Sequence, residues 1–316
     1  MSNNTDWPHQ AVGIQFSTTL SALGTTALEI QQALSGVENS LSERSDLMAD
    51  QTVWVGASKQ VLSTEIPNGL SQADSRNLRF ALTALMQIEP QIKAYTAKFD
   101  IQRLAIILGT STSGIADNEP VLKAQVQHQS MTPVQHQKQE MGCLAQSLQQ
   151  YLGWEGAAYT ISTACSSSAK AMAAGQRLLN ANLADAVLVG GVDTLCQLTL
   201  NGFNSLESLS NSICRPCGEQ RDGINIGEAA GLFLLAKAPA PVMLLSSGES
   251  MDAWHISAPH PEGQGAAKAM QQALDRAGLK ACDIGYLNLH GTATAQNDAM
   301  EIKAVRTVFE GYQVPL

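Results

Sequence analysis

Basic runs are missing from this 316-residue chain: no two Lys or Arg residues are adjacent, and Lys+Arg 19 against Asp+Glu 28 leaves a net charge of −9. That removes the usual footprint of a nucleic-acid-binding protein, although a local basic patch for an acidic partner stays open. Charged residues make up only 15% and aromatics only 5%, while 44% of the chain is hydrophobic, with 25 Gly and 11 Pro. This balance excludes a disordered or fibrous chain and predicts a compact globular one with a large core. No apolar run approaches a membrane span. The opening MSNNTDWPHQ has neither the basic region nor the apolar core of a secretory leader. A cytoplasmic location without membrane attachment is the resulting expectation. Six cysteines are scattered along the chain, which reads as free thiols in a reducing compartment. Cys214-Arg-Pro-Cys217 has no second CxxC or HxxxH to complete a four-ligand zinc site, so no metal is expected there.

What is present is most legible between Ala157 and Asp193. AAYTISTA is small and β-branched and reads as a buried strand; SSSAKAMAAGQRLLNAN has helical spacing; AVLVGGVD reads as a second buried strand. The three form a βαβ unit, which implies parallel strands covered by helices. RLAIILGT (103–110) predicts a further strand. The same grammar recurs later: a helix over 266–277 stopped by Gly278, a strand over 284–289 (IGYLNL), and a helix over 297–309. Residues 125–140, with His128 and His136, read as a solvated surface segment, and 237–241 (KAPAP) as a linker between two halves of similar character.

Three places could carry chemistry. Cys165 falls where a strand gives way to a helix, so its sulfur should lie over free N–H groups that favour the thiolate. Position alone leaves a nucleophile and a buried structural thiol both open. His290 follows a predicted strand in His-Gly-Thr-Ala-Thr, where Gly291 allows a turn and Thr292 and Thr294 can hydrogen-bond a polar ligand arm; a satisfied turn histidine is the competing reading. Arg221-Asp-Gly through Gly227-Glu-Ala-Ala-Gly231 reads better as packing, with Glu228 a hydrogen-bonded buried acid.

Taken in order, Thr-Ala-Cys165-Ser-Ser-Ser, Cys-Arg-Pro before Arg221-Asp-Gly, Gly227-Glu-Ala-Ala-Gly231, Asp252-Ala-Trp-His255 and His290-Gly-Thr-Ala-Thr resemble the elongating β-ketoacyl–acyl carrier protein synthases. The likeness runs from about Ile14 to the last residue and tightens from Arg103 onward. It implies an α/β, thiolase-like fold, a five-layered αβαβα sandwich of two similar halves, here 1–237 and 238–316, with the second half incomplete. It implies a decarboxylative Claisen condensation: Cys165 accepts an acyl group from an acyl carrier protein, and malonyl–carrier protein loses CO2 and attacks it. By the same resemblance His290 donates a hydrogen bond from a neutral imidazole. Thr292 and Thr294 hold the pantetheine arm, Phe203 lines the acyl pocket, and Thr112 occupies a gate position that is often aliphatic. Asp298 and Glu301 match an acidic pair supporting the charge network; an exposed helix start is their other reading. The expected partners are an acyl carrier protein and a second ketosynthase-like subunit, in a homodimer or heterodimer, with neither a metal nor an organic cofactor.

The sequence also departs from that family. Its second histidine and its lysine belong to a Lys-Ser…Gly-His segment that follows a stretch like Val308-Phe309-Glu310, and no such segment occurs in these residues. Two explanations compete, a longer enzyme incompletely represented and a shortened protein, and the first is favoured because losing strands of the second half would expose a long sheet edge. Cys217 stands where an aromatic is usual, and the segment 238–250 is short. Two other functions stay open: a non-catalytic, chain-length-type partner subunit, against which the retained Cys165 argues, and a non-decarboxylating thiolase or acyltransferase.

Overall fold

The computed structural model describes residues 11–36, 40–49, 51–63, 65–129, 132–255 and 258–316. The chain opens with β1 (Val12–Ser21), α1 (Ala27–Ser35), β2 (Ser42–Arg44) and β3 (Val53–Gly56), then α2 (Arg76–Met86) and α3 (Glu89–Thr96). Next come β4 (Leu104–Gly109), α4 (Ile115–Val126), α5 (His136–Gln139) and α6 (Cys143–Leu152). The predicted βαβ unit follows as β5 (Ala158–Ile161), α7 (Ser167–Asn180) and β6 (Ala186–Asp193). The chain closes through α8 (Gln197–Ser205), β7 (Ile226–Gly227), β8 (Ala229–Ala236), β9 (Val242–Leu244), α9 (Gln264–Ala277) and α10 (Ala295–Val308).

Six strands form one sheet in the order β5-β4-β6-β8-β1-β9. β4 runs parallel to β5 and β6, whereas β8 is antiparallel to β6 and β1, and β9 antiparallel to β1. Every residue of β4 is buried, as expected of a strand covered on both faces. The alternation sorts its side chains. Ile106 and Leu108 join Phe80, Leu82 and Leu85 of α2 and Leu144 and Leu148 of α6 on one face. Ala105 and Ile107 meet Ala171, Ala174 and Leu179 of α7 on the other. A shorter sheet, β2-β3-β7, stands apart with its own small core around Val53, Val55 and Leu200.

Several sequence expectations need correction here. AAYTISTA is not a buried strand: β5 covers only Ala158–Ile161 and is the edge of the sheet, with Tyr159 exposed. IGYLNL is extended but forms no strand. Its Leu287 N–H donates to Pro315 O at 2.9 Å, and among the described residues no strand lies beside it to complete a ladder. The later helices appear as predicted, with Gly278 closing α9 at φ 67°. Among the described residues, 238–316 thus contributes two α-helices, a short 3-10 turn at Ala281–Asp283 and irregular segments, and its one strand, β9, is added to the sheet that holds β1.

Candidate active site

β4, β5 and β6 are parallel and end at Gly109, Ile161 and Asp193, so the segments leaving them gather on one side of the sheet. Carboxyl ends of parallel strands are where α/β proteins place ligands. The turn from β5 into α7 carries Cys165. Ala164 takes a left-handed conformation (φ 54°), and hydroxyls hold it: Thr163 N–H donates to Ser167 Oγ (2.9 Å), Ser167 Oγ donates to Ala164 O (2.6 Å), and Ser166 Oγ donates to Thr163 O (2.9 Å). Gly109 lets β4 end directly against this turn, because a Cβ there would lie 2.6 Å from the backbone of Ser167 and Ser168. Cys165 itself is exposed.

Its partner is His290. Interaction with the His290 imidazole is the first cause lowering the Cys165 pKa; burial opposes it, and the charge of Asp193 opposes it more weakly. Interaction with the Cys165 thiol is in turn the first cause raising the His290 pKa, again against burial, with the charges of Cys165, Glu301 and Asp298 adding to it. Both shifts favour moving the proton from sulfur to ring. The backbone contribution that lowers the Cys165 pKa, smaller than that of His290, comes from the N–H of Cys165 itself and not from the start of α7.

The loop bearing His290 is held by two carboxylates. Glu301 on α10 accepts from the N–H of His290 (2.6 Å) with one oxygen and of Gly291 (2.9 Å) with the other. Asp298, buried at 1% exposure, accepts from Ala293 N–H (3.1 Å) and from Cys217 N–H (2.7 Å). Gly291 and Ala293 both take φ 57°, a conformation the glycine adopts freely and the alanine does not. The Asp298 bond and the Gly223 N–H donated to Ala293 O at 3.0 Å pin that strained residue. The hydroxyls of Thr292 and Thr294 lie 2.9 Å apart in a mutual hydrogen bond.

The remaining predicted residues fall as follows. Phe203 is half-buried on α8, which starts just past the end of β6. Thr112 is buried, its hydroxyl donating to Asp193 Oδ1 (2.9 Å) and accepting from Thr194 N–H (3.2 Å). Asp298 is no exposed helix start, and Glu301 is half-buried. Glu228 is the buried acid expected, bound by Arg76 (2.6 and 3.0 Å) and by the N–H groups of Ser58 and Leu195. Sequence reasoning missed Ser167 as the turn's clasp and Asp193 altogether; the aspartate closing AVLVGGVD at a parallel strand's carboxyl end was the available signal. Among the described residues no cluster of His, Cys, Asp or Glu could hold a metal, and no helix is long and apolar enough to cross a membrane.

This arrangement has relatives. The chain matches the family described as "Beta-ketoacyl synthase, N-terminal domain" over residues 71–240, more than half its length, and "Beta-ketoacyl synthase, C-terminal domain" over 242–315. The chain belongs to the β-ketoacyl synthase family. A 3-oxoacyl-[acyl-carrier-protein] synthase 2 from Staphylococcus aureus is 33% identical over 172 residues, 50% of this chain and 43% of that protein. Its counterpart from Rhizobium meliloti (strain 1021) is 37% identical over 166 residues, 48% of this chain and 39% of that protein. These matches therefore span less than half the length of the curated relatives. Among solved structures, a chain in the complex of a ketosynthase (ApeO) with its chain length factor (ApeC) from Xenorhabdus doucetiae is 43% identical with a TM-score of 0.90. That match covers 98% of this chain and 78% of the other. The thiolase-like ketosynthase fold is thereby established, and Cys165 and His290 lie within the two family domains.

Proposed function

We propose that this chain is the catalytic component of a β-ketoacyl–acyl carrier protein synthase, making 3-oxoacyl–carrier protein and CO2 by decarboxylative condensation. What supports this reading is that Cys165, on the turn into α7 in the first matched domain, and His290, in the second, act on each other electrostatically, the thiol pKa lowered and the imidazole pKa raised. We read 1–237 as the half that supplies the nucleophile and 238–316 as the part that supplies the imidazole.

The chemistry follows from the pair. The Cys165 thiolate attacks the thioester carbon of an acyl group carried on pantetheine; the old carbon–sulfur bond breaks, and the departing thiolate takes the proton held by His290. Acylation then removes the thiolate whose interaction raised the His290 pKa, so the ring returns toward its neutral form. A neutral imidazole N–H can donate to the malonyl thioester oxygen as CO2 leaves and the enolate forms. The enolate carbon attacks the acyl-cysteine carbonyl, and Cys165 thiolate is the leaving group. In this reading Thr292 and Thr294 hold the pantetheine arm, Phe203 and Thr112 border the acyl group, and an acyl carrier protein in the cytoplasm delivers both substrates.

A chain-length-type subunit is a second reading, favoured by one finding: the 43%-identical chain belongs to a ketosynthase–chain length factor complex. Retention of Cys165 and its imidazole argues for the catalytic role, with a related subunit as dimer partner. The test is Cys165→Ala incubated with mass-tagged acyl–carrier protein. Loss of the acyl-enzyme is expected; labelling that survives the substitution refutes the assignment. Products from malonyl and from acetyl donors separate the condensing reading from a non-decarboxylating acyltransferase.

A further inference from the structure

One oxygen of Asp193 does an unusual amount of holding. Asp193 is the last residue of β6, and its Oδ1 accepts from Ser111 N–H (2.7 Å), Thr112 N–H (2.9 Å), Thr110 Oγ1 (2.9 Å) and Thr112 Oγ1 (2.9 Å). Those donors are three consecutive residues leaving β4, the strand between β5 and β6. The turn is fastened further: Ser113 N–H donates to Thr110 Oγ1 (3.0 Å), and Thr110 N–H donates to Ile161 O (3.3 Å), at the end of the strand that leads to Cys165. The other carboxylate oxygen makes no hydrogen bond to a described residue, although Asp193 is only half-buried.

We propose that Asp193 is a positioning residue for the nucleophile, its carboxylate clasping the 110–112 turn, which follows the end of β4 that abuts the start of α7 next to Cys165. A neutral acceptor at this position would hold the same turn with weaker bonds, since bonds to an ionised oxygen are roughly twice as strong. The charge has a second effect. It opposes formation of the Cys165 thiolate, more weakly than burial does and against a net lowering of the pKa by His290. Acylation neutralises the sulfur and ends that repulsion, so the same group does not oppose the acyl-enzyme. The inference rests on the condensing reading for its purpose, but the clasp and the charge are independent of it.

The charged and titratable groups around the pair are known. His290 faces Cys165 from the 290–294 loop, with Glu301 and Asp298 behind it. Cys196, just past β6, also senses Asp193 and is held protonated by burial, with Glu119 of α4 beside it. Lys170 on α7 is engaged by Glu249 at 2.9 Å.

The experiment uses two variants of the full chain, Asp193→Asn and Asp193→Ala, and two readouts. The first is the pH profile of Cys165 alkylation by iodoacetamide, followed by peptide mass so that other cysteines do not contribute. Asp193→Asn keeps an acceptor and removes the charge, so its midpoint should move to lower pH, with alkylation about threefold faster below the midpoint. An unmoved or raised midpoint overturns the proposal. The second is acyl-enzyme formation from acyl–carrier protein. Asp193→Ala should lose about tenfold or more, through a displaced turn, while Asp193→Asn retains most of the rate; equal losses in both variants overturn the clasp. If Asp193→Ala does not fold, the ratio of wild type to Asp193→Asn in both readouts still decides. Failure of wild-type chain to take any acyl group would sink the condensing reading and leave the alkylation result standing.

Discussion

The two residues of the candidate pair are positioned by different means. Cys165 is placed chiefly by backbone, with Ser166 and Ser167 hydroxyls as local clasps: a strand end, a left-handed residue and a helix start, pressed together because Gly109 allows β4 to end against the backbone of Ser167 and Ser168. His290 is placed by side chains: among the described residues no strand leads into it, and Glu301 and Asp298 reach from α10 to collect its loop's N–H groups. The first scaffold is stiff because it is part of the sheet's packing. The second depends on two carboxylates, so single substitutions can loosen it while the fold survives.

The comparison breaks most readily at Gly109. Gly109→Ala should cost about 2–3 kcal/mol of stability and lower acyl-enzyme formation about a hundredfold, since the new methyl pushes the helix start outward. Urea unfolding and intact-mass labelling measure the two effects, and a variant as active as wild type would mean the nucleophile's scaffold is soft. Next in size, Glu301→Ala leaves the His290 and Gly291 N–H groups to water and should cost about 1–3 kcal/mol. It should also move the His290 pKa down, because the Glu301 charge raises it; imidazole chemical shifts followed across pH would report that. His290→Ala separates site from fold. Stability should stay within about 0.5 kcal/mol, as for an exposed residue, while the alkylation midpoint of Cys165 moves to higher pH, its first cause of depression being gone. The smallest effect belongs to Ser167→Ala, which removes one clasp of the cysteine turn. A loss of about 1 kcal/mol in the unfolding midpoint is expected, with acylation slowed only a few-fold.

The same contrast explains what could be read from the letters. β4, β6, α7, α9 and α10 were legible because their apolar spacing is local and strong, and Cys165 and His290 stood out as candidates through the motifs that carry them. Stretches that need a distant partner were not. IGYLNL has the composition of a strand, yet a strand exists only where another lies beside it. AAYTISTA looked buried because its residues are small and apolar, but which strand ends a sheet is decided by the order of all six. The clasping role of Asp193 escaped notice because its four donors lie more than eighty residues earlier in the chain, and no periodicity records such a meeting. Glu228 was legible because an acid amid glycines and alanines before an apolar strand has to be paired.

The order of the strands also bears on how the molecule is made. β1 precedes the other described strands in the chain, yet it lies between β8 and β9, with Gly13 opposite Ala236 and Met243. Its apolar segment must therefore wait on the ribosome while more than two hundred further residues emerge. Throughout that interval both its edges are open to chance pairing. Such a topology has high contact order and favours slow, late assembly. Chaperone capture of nascent chains should accordingly fall away only after the codons for β8 and β9 have been translated.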